Sequence, residues 1–192
     1  LALAVRFVLG KNRLLPAKKP LIVTNLSTTQ AIDDIAKEFG GTVIRTKIGE
    51  VHVSEELKAL KGLIGGEGNG GVIYPAIGLN RDAQTGIGLI LNLLADSGKK
   101  ISQLLTEIPS YYLAKHKIEC RSLDEVDSII TKVKSRYKGN PLVTTDGVKI
   151  LLPEGWIHVR SSNTEPIVRV MAEARDQATA EKLVREVFET IR

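Results

Sequence analysis

Apolar runs of strand length alternate with helix-length segments through residues 20–98. The strand-like runs are PLIVTN (20–25), GTVIRTKIG (41–49) and KGLIGGEG (61–68). A helical segment follows each run, and this order is typical of an α/β unit with a largely parallel sheet. The alternation therefore predicts a three-layer α/β domain, which we place at residues 1–108.

The predicted helices of this domain differ in how clearly their ends are marked. STTQAIDDIAKEFGG (27–41) has apolar residues at helical spacing and a glycine stop. RDAQTGIGLILNLLADSG (81–98) is a long apolar helix, in which Asp82 is interpreted as a helix-start carboxylate. Ser54 is followed by two glutamates. Because the helix dipole favours carboxylates in the first turn, we predict that a short helix starts at Ser54.

The pattern changes after residue 108. The predicted elements are a strand (111–120), a capped amphipathic helix (122–140), short strands separated by Asp-Gly and Glu-Gly turns (141–162), another strand (166–174) and a terminal helix (176–192). This β-α-β-β-β-α order predicts a separate α+β domain, which we place at residues 113–192.

The third predicted strand runs into GGEGNGG (65–71), where five glycines surround Glu67 and Asn69. Glycine is costly to order, and it serves where the backbone needs unusual dihedrals or close approach to another group. In open α/β sheets, ligands bind beyond the carboxyl ends of the strands, and TKIGE (46–50) lies at that end of the second strand. The glycine loop is therefore either a strained turn or a place where a ligand lies against the backbone.

A second polar motif, RSSNTEP (160–166), lies between two predicted strands. The guanidinium of arginine matches the geometry of phosphate oxygens. Hydroxyls and main-chain N–H groups of a tight loop can complete an anion-binding cradle. The alternative is an ordinary surface turn, because serine, asparagine and threonine are common turn residues.

The order TKIGE, GEGNGGVIYP and RSSNTEPIVRVMAEA resembles the α-D-phosphohexomutase family over essentially the whole chain. That family includes phosphomannomutases, phosphoglucomutases and phosphoglucosamine mutases. The resemblance implies the family's α/β third domain and its fourth domain, whose fold resembles the TATA-binding protein. It also implies an isomerase that shifts a phosphoryl group between the 1- and 6-positions of a hexose phosphate. The route passes through a bisphosphorylated sugar and an enzyme phosphoserine.

The resemblance also implies roles for individual residues. GEGNGG is similar to the sugar-binding loop, in which Glu67 and Asn69 would contact sugar hydroxyls. Lys47 would be a substrate-facing lysine, with a solvated strand-end lysine as the alternative, and Arg45 on the same strand face is a weaker candidate. RSSNTEP is similar to the phosphate-binding loop, which would hold phosphate through Arg160, Ser162, Asn163 and Thr164.

The chain departs from the family pattern in what it lacks. The phosphorylated serine of the first domain and the DGDxDR loop that holds Mg²⁺ in the second have no counterpart here. We therefore expect a C-terminal fragment that is inactive alone, contains no catalytic residue and binds no metal. Its partners would be a hexose phosphate and the missing N-terminal domains. Several bacterial members carry GE-x-SGH in the sugar loop, where this chain has Asn69 and Gly71.

Composition limits the other classes of function. The net charge of +5 suits anionic partners, but aromatic residues are only 4%, so platforms for base stacking are scarce and we expect no nucleic acid. The single cysteine excludes an internal disulfide and favours the cytoplasm, and no apolar run has the length of a membrane span. A non-catalytic anion- or nucleic-acid-binding module remains the alternative, and the preferred sugar stays open.

Overall fold

The computed structural model describes residues 1–12, 19–162 and 165–191. The chain forms two compact units, Leu1–Ser110 and Tyr111–Arg192. Each unit has its own sheet and its own apolar core. The predicted fold class, an α/β unit followed by an α+β unit, is confirmed.

The first unit is built on a mixed four-stranded sheet. Its strands are β1 (Leu21–Asn25), β2 (Thr42–Thr46), β3 (Ile64–Gly66) and β4 (Val72–Ile73). Their order is β2-β1-β3-β4, with β1 parallel to both β2 and β3. The edge strand β4 pairs antiparallel with β3, so the glycine loop is the turn of a hairpin. The sequence did not predict β4 because two residues are too few to show a period.

Helices cover both faces of this sheet. They are α1 (Ala2–Asn12), α2 (Ala31–Glu38), α3 (Glu50–Leu60), α4 (Ala83–Ser97) and α5 (Ile101–Leu105). Residues of α1, α2 and α4 share one apolar cluster with Ile22 and Ile64. On the other face, α3 packs Val53 and Leu57 against Val23. Successive residues of a strand point to opposite faces, so neighbouring residues of β1 contribute to two layers of core.

The prediction that a helix starts at Ser54 is wrong. The helix α3 already begins at Glu50, and Gly49 is its N-cap residue with a φ of 129°. Glycine adopts this positive φ without steric cost, so the chain turns sharply out of β2 and enters the helix early. Ser54 therefore lies inside the helix, where its hydroxyl donates to the carbonyl oxygen of Leu79.

The second unit is built on a five-stranded antiparallel sheet. Its strands are β5 (Tyr112–Glu119), β6 (Leu142–Val143), β7 (Val148–Leu152), β8 (Gly155–Ser161) and β9 (Ile167–Ala174). They are arranged in the order β5-β9-β8-β7-β6. The predicted element order is one strand short, because the two-residue β6 is too short to count as a strand of its own, although the Asp-Gly turn at 146–147 does separate it from β7.

Two helices, α6 (Leu123–Arg136) and α7 (Gln177–Ile191), complete this unit. They form one apolar cluster with inward residues of the sheet, including Ile157 and Val159 of β8. Alternation along the strand places Trp156, His158 and Arg160 on the opposite face. The strand β8 thus carries an apolar row toward the helices, and a row of Trp156, His158 and Arg160 on its other face.

Candidate functional site

The carboxyl ends of β1, β2 and β3 lie at one edge of the first sheet. In the parallel register, Asn25 is opposite Thr46, and Thr24 is opposite both Arg45 and Gly66. The segments that leave these strands therefore start side by side. The exposed Lys47 directly follows β2, and the buried Glu67 directly follows β3. The structure places these two predicted residues at the same edge.

The carboxylate of Glu67 is held by donors from two other segments. Its Oε1 accepts a hydrogen bond from Asn25 Nδ2 at 2.8 Å and another from the main-chain N of Gly49 at 3.0 Å. Gly49 is the N-cap residue of α3, so the carboxylate lies near the positive end of a helix, which favours negative charge. Glu67 is only 6% exposed, and the two hydrogen bonds hold its carboxylate in one position.

Sequence reasoning did not identify Arg81 and Glu50 as members of this cluster. Arg81 Nη1 lies 3.7 Å from the second carboxylate oxygen of Glu67, and Arg81 Nε lies 3.3 Å from Glu50 Oε2. The main-chain N of Arg81 also donates to Glu50 Oε1 at 2.6 Å. The contacts join segments far apart in the chain. The one local signal was the position of Glu50 in TKIGE, directly after a strand.

Asn69 shapes the glycine loop. Its Oδ1 accepts a hydrogen bond from Gly71 N at 3.1 Å, while Glu67 N donates to the carbonyl of Gly71 at 3.2 Å. Gly70 N donates to the carbonyl of Glu67 at 3.0 Å, which closes the turn. Asn69 itself is exposed, and the turn uses only the oxygen of its side-chain amide. Asn69 thus has a local structural role whether or not it also binds a ligand.

A cavity of about 710 Å³ opens on one flank of the loop. Its polar wall includes Asn69 and Arg81, and its apolar wall comes from α1 and α4, through residues such as Ile87 and Leu91. Neither Glu67 nor Lys47 lines it. The cavity and the strand-edge cluster therefore share Arg81 as a common member.

Arg45, the weaker candidate of the sequence analysis, is engaged within the fold. Its guanidinium donates to the carbonyl oxygens of Asn25 and Thr29 at 3.2 Å each, and also to that of Thr28. It forms an ion pair with Asp33 as well. These four partners hold the β1–α2 connection against β2. Arg45 accordingly has a structural role.

The second predicted motif begins at the end of β8. Arg160 is opposite Arg169 of β9, and its Nη1 donates to the carbonyl of Ser161 at 3.2 Å. Burial lowers the pKa of Arg160, and Arg169 lowers it further, whereas Asp146 opposes the shift. Among the described residues, the buried Nε has no hydrogen-bond partner. Within the described part of the chain, the guanidinium thus keeps its Nε–H as an unused donor next to the loop.

Ser162 closes the base of this loop. It is buried, and its main-chain N donates to the carbonyl of Ile167 at 3.0 Å. Asn163 and Thr164, the other two predicted phosphate-binding residues, lie outside the described residues, so their role stays a prediction.

In residues 1–12, 19–162 and 165–191, no group of three or more His, Cys, Asp or Glu side chains could hold a metal ion. Within the same ranges, the helices are too short or too polar to cross a bilayer.

Two family models match the chain in sequence order. The model described as phosphoglucomutase/phosphomannomutase, alpha/beta/alpha domain III, matches residues 1–112. The model described as phosphoglucomutase/phosphomannomutase, C-terminal domain, matches residues 114–190.

Individual relatives are similar over most of this chain but are much longer. A phosphoglucomutase/phosphomannomutase of Thermococcus kodakarensis is 43% identical over 162 residues, which are 83% of this chain and 35% of that protein. A phosphoglucosamine mutase of Methanococcus maripaludis is 40% identical over 166 residues, which are 85% of this chain and 37% of that protein. The chain thus spans little more than a third of the length of these relatives.

Solved structures share the fold at low sequence identity. A phosphoglucomutase/phosphomannomutase family protein from Burkholderia thailandensis superposes with a TM-score of 0.75 at 21% identity, covering 97% of this chain and 41% of that one. An N-acetylphosphoglucosamine mutase from Aspergillus fumigatus has a TM-score of 0.70 at 19% identity, covering 100% of this chain and 46% of that one. Together with the two family models, these matches show that the chain belongs to the phosphoglucomutase/phosphomannomutase family.

Proposed function

We propose that this chain is the substrate-binding, C-terminal portion of a phosphohexomutase that interconverts hexose 1-phosphates and hexose 6-phosphates. Its relatives include a phosphoglucomutase/phosphomannomutase and a phosphoglucosamine mutase, so a hexose phosphate is the substrate class. The observation that carries the proposal is the Glu67 carboxylate, fixed at the shared carboxyl edge of three parallel strands.

The strand edge of the first unit would bind the sugar. A carboxylate accepts hydrogen bonds only, so Glu67 suits the donating hydroxyls of a hexose ring. The side-chain NH₂ of Asn69 can donate to a hydroxyl while its oxygen maintains the turn. Lys47 adds an exposed ammonium group at the end of the neighbouring strand. These groups can bind hydroxyls in either of two sugar orientations.

The β8–β9 loop of the second unit would bind the phosphate that does not react. Arg160 retains a buried N–H donor, and charge-assisted hydrogen bonds to phosphate are among the stronger polar contacts in proteins. Ser162 adds a hydroxyl at the base of the loop, and we assign Asn163 and Thr164 to the same cradle on the sequence alone. The same loop would hold whichever phosphate does not react. The sugar could then bind in two orientations, which present either the 1-position or the 6-position to the rest of the enzyme.

The chemical step would depend on parts that this chain does not contain. A phosphoserine would give its phosphoryl group to the sugar and regain one from the bisphosphorylated intermediate. Mg²⁺, held by a metal loop in another domain, would neutralise charge on the transferring group. We therefore expect the 192-residue chain to bind hexose phosphate without mutase activity. From the single cysteine, we propose that the parent enzyme is cytoplasmic.

An NMR titration of the isolated chain tests this proposal. With glucose 1-phosphate, we expect amide shifts both at residues 65–71 and at Arg160–Ser162. With inorganic phosphate at equal ionic strength, we expect shifts only at Arg160–Ser162. Glu67→Gln removes the charge with little change of shape, and it should weaken glucose 1-phosphate binding about 10- to 150-fold, since hydrogen bonds to charged groups are worth about 1.5–3 kcal/mol.

Glu55→Gln is the matched control, because Glu55 is exposed on α3 away from the strand edge. It should bind both ligands like the wild type. Absence of shifts at residues 65–71 in the wild type would refute the sugar-binding role. Binding of an oligonucleotide that weakens steeply with salt, together with no selectivity for the sugar, would instead favour the nucleic-acid-binding alternative, because neutralising many phosphates releases many counterions.

A further inference from the structure

The side chain of Arg81 lies in the space beside Gly71. A Cβ atom built on Gly71 would be 2.0 Å from Arg81 Cδ and 2.6 Å from Arg81 Cγ, so any side chain here would displace the arginine. Gly71 is not among the glycines with positive φ in the described chain, so its backbone would accept another residue. The crowding at this position therefore comes from the Arg81 side chain.

Glu50 anchors the arginine at the end nearest the backbone. It contacts Nε at 3.3 Å and accepts from the main-chain N at 2.6 Å. The terminal nitrogens extend toward Glu67, but Nη1 is 3.7 Å from Oε2, which is an ion-pair contact too long for a hydrogen bond. The Arg81 side chain is also 43% exposed. The guanidinium is thus positioned by its neighbours without all of its terminal donors being consumed.

We propose that Arg81 is a ligand-contacting residue of the strand-edge site, donating from its terminal nitrogens to an oxygen of the hexose phosphate bound at Glu67. This rests on the proposed function. A side chain at position 71 is incompatible with the observed position of Arg81. Gly71 and Arg81 therefore act as a pair. Gly71 has no side chain, and this leaves room for the Arg81 side chain, which comes from the start of α4.

Glucose 1-phosphate and inorganic phosphate titrations of four variants test the pair. Arg81→Gln should weaken glucose 1-phosphate binding about tenfold through loss of a charge-assisted hydrogen bond. Gly71→Ala should weaken it similarly although Arg81 is still present. Arg81→Lys should restore part of the affinity, because lysine keeps the charge but not the planar fork. Gly88→Ala is the control, since a Cβ at Gly88 of α4 meets open space.

Inorganic phosphate should bind all four variants equally, because its proposed site is in the other unit. If Arg81→Gln binds glucose 1-phosphate like the wild type, the role of Arg81 is refuted while the proposed function stands. If it loses both ligands equally, Arg81 serves folding and the inference is also refuted. If the wild type shows no shift at residues 65–71, the proposed function and this inference are refuted together.

Thermal unfolding tests the geometry without any ligand. Gly71→Ala should lower the melting temperature in the wild-type background, and this loss should largely disappear when Arg81→Ala is also present, since the obstructing side chain is gone. An equal loss in both backgrounds would show that the glycine is required for another reason and would overturn the pairing.

Discussion

At the scale of single residues, the candidate site is built from groups that also maintain the fold. Burying a carboxylate costs free energy unless hydrogen bonds compensate for lost water. Glu67 meets this requirement through Asn25, at the end of β1, and Gly49, the N-cap residue of α3. The same contacts that make the buried charge tolerable also aim it, so a ligand finds the acceptor already in position.

His158 should make the stability of the second unit depend on pH. It is fully buried in β8, and its Nε2 lies 2.8 Å from the carbonyl oxygen of Asp146. Burial lowers the pKa of His158 from 6.5 to about 4, and the nearby cations Lys149 and Arg160 act in the same direction against the opposing effect of Asp146. In the folded state the imidazole is therefore neutral above about pH 4.

The unfolded chain binds the proton more readily, so this stability is fully present above pH 6.5 and is lost as the pH falls toward 4. The loss should be about 3 kcal/mol, which urea unfolding of the chain between pH 7 and pH 4 can measure. His158→Gln should remove this part of the pH dependence, whereas His52→Gln, at an exposed position on α3, should leave it intact. An unchanged slope in His158→Gln would contradict the prediction.

At the scale of elements, short strands decide how the site is presented. The three-residue β3 and the two-residue β4 form a hairpin, whose turn is the glycine loop. The antiparallel return places the start of α4, and with it Arg81, beside the turn.

The two helices of the second unit stabilise it through the apolar side chains that they bury. Leu183 of α7 is 1% exposed, whereas Leu123 at the start of α6 is 66% exposed. Leu183→Ala should destabilise this unit by about 3 kcal/mol, through lost burial and the cavity that remains. The same change at Leu123 should alter stability by less than about 0.5 kcal/mol. Chemical denaturation of both variants checks this, and equal effects would mean that α7 does not form the core described.

At the scale of the whole molecule, each unit contains a sheet, helices and an apolar core of its own. The Glu67 cluster lies in the first unit, and the loop after Arg160 lies in the second. If both groups bind as proposed, glucose 1-phosphate should shift amides of both units, whereas inorganic phosphate should shift amides of the second unit only.

Residues 111–192 should accordingly fold when produced alone, because the cluster that includes Val133 and Leu183 lies entirely within them. A dispersed amide spectrum and a cooperative thermal transition would show this. The isolated unit should also keep the inorganic phosphate affinity of the full chain. Loss of the fold, or of phosphate binding in a folded unit, would show that the phosphate loop depends on residues 1–110.

The amino-acid sequence by itself determined the order of the long elements, the division into an α/β and an α+β unit, and the family. These features are local, because strand-length apolar runs, helical periodicity and contiguous motifs such as GEGNGG and RSSNTEP are each readable within a short window. Local patterns failed at the two-residue β4, and where Gly49 started α3 before the apparent signal at Ser54.

Only the tertiary structure decided which polar side chains belong to the candidate site. On the sequence, Arg45 was a candidate ligand-binding residue, but its guanidinium is bound to the β1–α2 connection. Arg81 was only the residue before the helix-start carboxylate Asp82, but its side chain lies beside Gly71. The hydrogen-bond donors to Glu67 come from the last residue of β1 and from the N-cap residue of α3. Such contacts join residues that lie far apart in the chain, so they exist only after the sheet has brought the strand ends together.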